Sequence, residues 1–235
     1  TAPTAKPPST MTAAARPASA PRRTQAQRSD AMRRRLLAAT VASLAEDGYI
    51  GTTLSSIVRR AGVSRGAQVH HYPSKQALIL DAAEDLMRRS YRTLGAVLLS
   101  VADEDDRLEA LVKATWEQIF ATPMYRAYTE LLLASQRDAV LAEALKSLLL
   151  RVRGLFEPAV EHYFEPAPGA RVNTKAVFLQ LACLLGGLAT QAHLFGDPAY
   201  AAAQLKLWAQ QTRGVMRARR GVRTPPPRPA QWDRC

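Results

Sequence analysis

The chain has 235 residues, 47% of them apolar and 6% aromatic, enough for one large helical domain or a small one plus a medium one. Abundant alanine and leucine with so few aromatics argue against a sheet-dominated fold. The formal charge of +12 sits at the ends, since residues 1–35 hold eight Lys/Arg against one Asp and residues 213–235 hold seven Arg against one Asp. Basic ends around a nearly neutral body suggest a polyanionic partner. Cys183 and Cys235 make neither a disulfide framework nor a metal-ligand spacing, which fits a reducing cytoplasm. The N-terminal stretch lacks the apolar run of a secretory signal, and the most apolar window, Ala176–Phe195, is interrupted by Gln180, Gln191 and His193. It reads as a buried core helix rather than a membrane span.

Residues 1–28 carry five prolines and almost no large apolar side chains, so they are expected to form a disordered basic arm. Ser29 or Asp30 then caps a helix to about Asp47 whose apolar face is Leu36, Leu37, Val41, Leu44 and Ala45, with Gly48 as its stop. Arg33, Arg34 and Arg35 near its start oppose the helix dipole, which leaves contact with phosphates or plain solvation as their purpose. Leu54–Ala61 follows as a short amphipathic helix, and Gly62 supplies the freedom that a helix C-terminus uses. Ser64 sits where an N-cap belongs, and Tyr72-Pro73 ends the next helix after about seven residues, Arg65–His71. So short a helix has to be held by neighbours, which frees one face for display. Arg65, Gln68, His70 and His71 place hydrogen-bonding groups on a rod that fits a DNA major groove.

Ser74 caps a longer helix marked by Leu78, Ile79, Ala82, Leu86 and Leu94, which reaches about Ser100. The acidic run Asp103–Asp106 reads as the start of a helix through Phe120, Pro123 opens another, and Val140–Phe156 is strongly periodic and extends towards Phe164. Pro166-Ala-Pro168-Gly169 is a turn, Asn173 caps Thr174–Phe195, and Asp197-Pro198 starts the last helix, which fades after Met216. The whole is all-α, about nine helices with no strand pair. The expected divisions are an arm at 1–28, a helix-turn-helix domain at 29–81, a larger helical domain at 82–217, and a Pro-rich basic tail at 218–235.

The block from Asp30 to Asp81 resembles the DNA-binding domain of the TetR family of transcriptional repressors. The resemblance rests on Leu36–Gly48, Thr52-Thr53, Ile57, Ala61-Gly62-Val63-Ser64, Gly66, His70-His71-Tyr72, Ser74-Lys75 and Leu78, in ungapped spacing. It implies a three-helix DNA-binding domain followed by a helical domain that binds a ligand and dimerises. By the same resemblance, Thr53 and Lys75 contact backbone phosphate, Ser64, Arg65, Gly66 and Ala67 open the recognition helix, and Tyr72 matches its closing aromatic; with Gln68, His70 and His71 these are the expected DNA-binding residues. Many members have a leucine-tyrosine pair where this chain has Gln68-Val69. A Gln68 turned outward would read adenine.

Adjacent histidines point about 100° apart on a helix, so His70 and His71 cannot chelate together, and no metal or cofactor is expected. No nucleophile elbow, phosphate loop or zinc motif appears, which argues against an enzyme. Trp116, Phe120, Tyr125, Tyr128, Phe156 and Phe178, with Gln191, are either plain core or the wall of a small-molecule site. Leu181, Leu184, Leu185 and Leu188 form an apolar stripe suited to a dimer interface. The expected function is a dimeric regulator on a palindromic DNA site, released by a small molecule of unknown identity. The alternative is a DNA-binding accessory protein controlled by partner proteins, with a filled C-terminal core.

Overall fold

The computed structural model describes residues 24–101 and 106–226, so the expected disordered arm over 1–23, the acidic helix start at Asp103–Asp105, the tail from 227 and Cys235 lie outside the described residues. The described residues form nine α-helices: α1 (Gln25–Gly51), α2 (Leu54–Ala61), α3 (Arg65–His71), α4 (Lys75–Ser100), α5 (Arg107–Thr115), α6 (Pro123–Ser135), α7 (Ala139–Tyr163), α8 (Thr174–Phe195) and α9 (Pro198–Thr212). Side-chain caps explain most starts. Thr53, Ser64, Ser74, Asp106, Thr122, Asp138, Asn173 and Asp197 each accept a backbone N–H of the turn that follows.

Three departures from the sequence expectations have local causes. Helix α1 begins at Gln25, ahead of Ser29, because Thr24 and Gln27 form a reciprocal capping box. Gly48, at φ 73° and ψ 175°, breaks α1 without ending it, and Tyr49–Gly51 continue as a final turn. The chain also contains a strand pair, contrary to expectation: β1 (Phe164–Pro166) and β2 (Met216–Ala218) are antiparallel, with Glu165 opposite Arg217. Strands of three residues are too short to show a period of two. This ribbon draws residues 218–224 back onto the body, where a disordered tail was expected. The Arg219 N–H donates to the Tyr163 carbonyl, and Arg107 Nη2 donates to the Val222 carbonyl at 2.6 Å.

The core has three parts. Leu36, Leu37, Ile57, Ala61, Tyr72, Leu78 and Ala82 close the first bundle. Leu44, Ile79, Leu86, Ala127, Leu131, Leu141 and Leu145 join α1 to α4, α6 and α7. Val97, Leu98, Leu111, Val160, Tyr163, Phe178, Leu185 and Leu205 fill the far end. Helix α4 contributes to all three, and its 26 residues span about 39 Å at the α-helical rise. It is the spine along which the two functional regions are connected.

Candidate nucleic-acid interface and internal cavity

The corner between α2 and α3 is built by Gly62, whose left-handed φ of 60° lets its N–H return to the Arg59 and Val58 carbonyls. Arg35 Nη2 donates to the Ala61 and Gly62 carbonyls at 2.7 and 3.0 Å, satisfying the open end of α2. Arg33 pairs in a fork with Asp81, whose carboxylate also receives the Tyr72 hydroxyl. Two of the three clustered arginines therefore brace the domain, and Arg34 remains exposed. Burial raises the Asp81 pKa, but the Arg33 and Tyr72 hydrogen bonds outweigh it and hold the carboxyl below its ordinary value.

This bracing fixes what α3 shows. Ser64, Arg65, Gly66, Val69 and His70 are exposed, and Ala67 and His71 are half-buried. Gln68 is not displayed. It is fully buried, its Nε2 donates to the Tyr72 carbonyl at 2.6 Å, and its Oε1 has no partner. An outward Gln68 reading adenine is therefore corrected: the residue fills the inward position that the family resemblance gives to leucine. Tyr72 is corrected likewise, since its ring lies in the first core and its hydroxyl is held by Asp81 and Arg33. Val69, which sequence reasoning left without a role, is 54% exposed. Gly66 has open space around it, for an added Cβ would meet only Ser64 Oγ at 4.0 Å.

Thr53 is exposed at the N-cap of α2. Lys75, at the first position of α4, donates to the Tyr49 carbonyl at 3.1 Å and lies over the Tyr49 ring, and burial lowers its pKa. The Tyr49 N–H donates to Glu130 Oε2 at 2.9 Å. Glu130 is on α6, so the kinked end of α1 is clasped between the start of α4 and the second domain.

Beside α6 lies a cavity of about 1130 Å³ that opens to solvent, since Leu179, Cys183 and Gln191 of its wall are exposed. Its wall takes Leu86, Ser90, Tyr91 and Leu94 from α4, Tyr125, Tyr128 and Thr129 from α6, Phe156 from α7, and Phe178, Cys183 and Gln191 from α8. Phe120 also lines it, from a π-helical turn, Trp116–Phe120, that continues α5 and carries a 2.8 Å bond from the Ala121 N–H to the Trp116 carbonyl. Trp116 itself, expected among the pocket aromatics, packs against the core cluster instead. Burial pushes the Tyr128 hydroxyl up to about 12, with Tyr125 adding to the effect.

Two of the four leucines chosen from sequence for a dimer interface face the interior of the chain instead. Leu181 and Leu185 are buried within the chain and line the cavity, and Leu184 and Leu188 are only half-buried. On α8 and α9 the exposed large apolar side chains are Leu179, Leu194, Phe195, Tyr200 and Leu207. Helix α8 is also not the buried core helix that was expected. It is long and apolar enough to cross a membrane by length and composition, yet only 22% of its most apolar stretch is buried within the chain. Alternation of inward leucines with outward apolar residues escapes a reading that asks only whether a helix is apolar.

Residues 36–82 match the model of the bacterial regulatory proteins of the tetR family. The regulator CymR of Pseudomonas putida is 34% identical over 136 residues, which is 58% of this chain and 66% of that protein. The regulator BetI of Burkholderia ambifaria is 29% identical over 74% of this chain and 89% of its own length. The chain belongs to the TetR family. As a TetR-family helix-turn-helix transcriptional regulator it binds DNA through α2 and α3. Its overall fold matches a transcriptional regulator from Rhodococcus sp. at a TM-score of 0.62 and 21% identity, covering 78% of this chain and 97% of that one. A regulator from Saccharomonospora viridis, solved in complex with choline, matches at a TM-score of 0.60 and 18% identity over 80% of this chain and 99% of its own. At such identities the likeness carries the fold alone.

Proposed function

We propose that this TetR-family member is a homodimeric repressor released from a palindromic DNA site by a small molecule bound in its large cavity. The supporting observation is the sharing of α4 and α6 between the two regions. Lys75 at the first turn of α4 stands beside the DNA-binding corner, and Leu86–Leu98 of the same helix line the cavity. On α6, Tyr125 and Tyr128 line the cavity while Glu130 holds the Tyr49 N–H. A ligand with unequal affinity for two placements of these helices would change the spacing of paired recognition helices. A C-terminal domain controlled only by partner proteins needs no such cavity.

In this reading Arg65, Val69 and His70 face base edges, and Ser64, Thr53 and Lys75 face backbone phosphate. The exposed apolar face of α8 and α9 meets a second copy, doubling the contacts of a seven-residue recognition helix. The site of action is the cytoplasm, where the DNA is.

Selection of binding sites from random DNA tests the first half of the proposal, and an inverted repeat is the expected product. Mobility shifts on that repeat, with and without candidate effectors, test the second. Recovery of no preferred sequence would overturn it.

A further inference from the structure

Building on the effector reading above, we infer that the cavity takes an apolar molecule ending in a carbonyl or carboxylate oxygen, held by the Tyr125 and Tyr128 hydroxyls, rather than a quaternary ammonium ion. The contrast matters because one solved structure of similar fold holds choline.

The charges come first. The described residues of the cavity wall include two cations, Arg153 and Lys175, and a single carboxylate, Glu157. That carboxylate is already engaged, by Arg153 Nε at 2.5 Å and Lys175 Nζ at 3.8 Å. Lys175 also pairs with Glu161 at 3.0 Å, so the charges of the wall are matched within the chain and a bound cation would find no free counter-ion.

The aromatic side chains do not compensate. A cage for a quaternary ammonium needs ring faces open around one point. Here the rings pack on one another instead. Phe120 and Tyr125 lie 4.6 Å apart between centroids, Tyr125 and Tyr128 5.7 Å, and Phe156 and Phe178 meet edge to face at 6.0 Å.

The uncharged polar groups point to an acceptor. Tyr125 and Tyr128 both line the cavity, and burial raises both hydroxyls, so each keeps its proton at neutral pH and can donate it. Thr115 is 6% exposed in the same wall, just before the π-helical turn, and its Oγ1 has no hydrogen-bond partner. Gly186 admits the Tyr125 hydroxyl to the surface of α8, because a Cβ there would lie 2.5 Å from it. An oxygen acceptor satisfies the Thr115 hydroxyl and can take bonds from the two tyrosines, whereas a trimethylammonium group accepts none. The leucines and phenylalanines around them hold the apolar body.

Three probes of one shape and different charge separate the possibilities by calorimetric titration of the full chain: acetylnaphthalene, naphthoate and naphthyltrimethylammonium. Binding of the ketone or the carboxylate at least about tenfold tighter than the cation is expected, and which of the two wins tells a neutral acceptor from an anionic one. Tyr125→Phe and Tyr128→Phe, checked for unchanged melting, should each weaken the preferred probe about tenfold. Equal or tighter binding of the cation, or full affinity in both phenylalanine variants, would overturn the inference. If the cation binds and releases DNA, the effector reading stands while the inference fails. If no probe binds, the inference falls, while mobility shifts with other effectors still decide the effector reading.

Discussion

Gly66 and Gln68 stand two positions apart on α3 and answer to different demands. Nothing inside the chain requires a glycine at 66, where the backbone is helical and a Cβ has room. Gly66→Ala should therefore stabilise the fold by up to about 1 kcal/mol through helix propensity. The same methyl should weaken operator binding at least about tenfold if α3 lies close against DNA, which melting and mobility-shift titrations would measure together. Gln68 makes the opposite case. Gln68→Leu removes a buried acceptor with no partner and leaves the Tyr72 carbonyl to lose its bond, so stability should stay within about 1 kcal/mol. The selected DNA motif should not change, and an altered motif would show that Gln68 does reach bases. Spacing and residue type made the capping serines and Gly62 legible from the sequence, because their roles are local. The inward turn of Gln68 was not legible, because it depends on where Tyr72 is held by Asp81 and Arg33.

At the scale of elements, the Arg33–Asp81–Tyr72 cluster ties α1 and α4 to the end of α3. Asp81→Asn should cost about 1–2 kcal/mol at neutral pH. Because the folded carboxyl titrates below its ordinary value, its contribution is complete above the unfolded value of about 3.9 and is lost as pH falls through the lower folded value. Urea midpoints of wild type and variant should therefore converge as pH falls below about 4. The clasp at the end of α1 makes a second demand. Gly48 has a φ of 73°, and a Cβ there would lie 3.1 Å from Glu130 Oε2. Gly48→Ala should lower stability by about 1–2 kcal/mol, readable as a drop in melting temperature. The glycine was visible in the sequence as a helix stop. Glu130 on α6, which accepts the neighbouring Tyr49 N–H across 81 residues, was not, since a carboxylate that meets a backbone N–H leaves no periodic trace.

For the whole molecule, the helical order and the two-part plan could be read from periodicity and caps, and the π-helical turn, the ribbon and the cavity could not. A cavity is space that side chains fail to fill, and the aromatic residues around it have the same spacing as core. The exposed face of α8 and α9 carries the proposed pairing with a second copy. Changing Leu194 and Phe195 together to aspartate should give monomers by sedimentation, with the helical circular dichroism kept. Operator affinity should then fall at least about a hundredfold. Dimers that persist with those two aspartates would move the interface elsewhere.

The short ribbon has a further consequence for how the chain meets proteases. Arg213 pairs with Asp106 and Glu109, Arg217 with Glu165, and Arg219 with Glu165 and the Glu161 carbonyl. Much of the positive charge near the C-terminus is thus matched within the chain. The bonds that trypsin would cut after Arg217 and Arg219 lie in or beside a strand whose carbonyls and amides are paired, so a protease must first peel β2 from β1. Native digestion should spare these sites while the ribbon is closed, and cleavage there should report its opening.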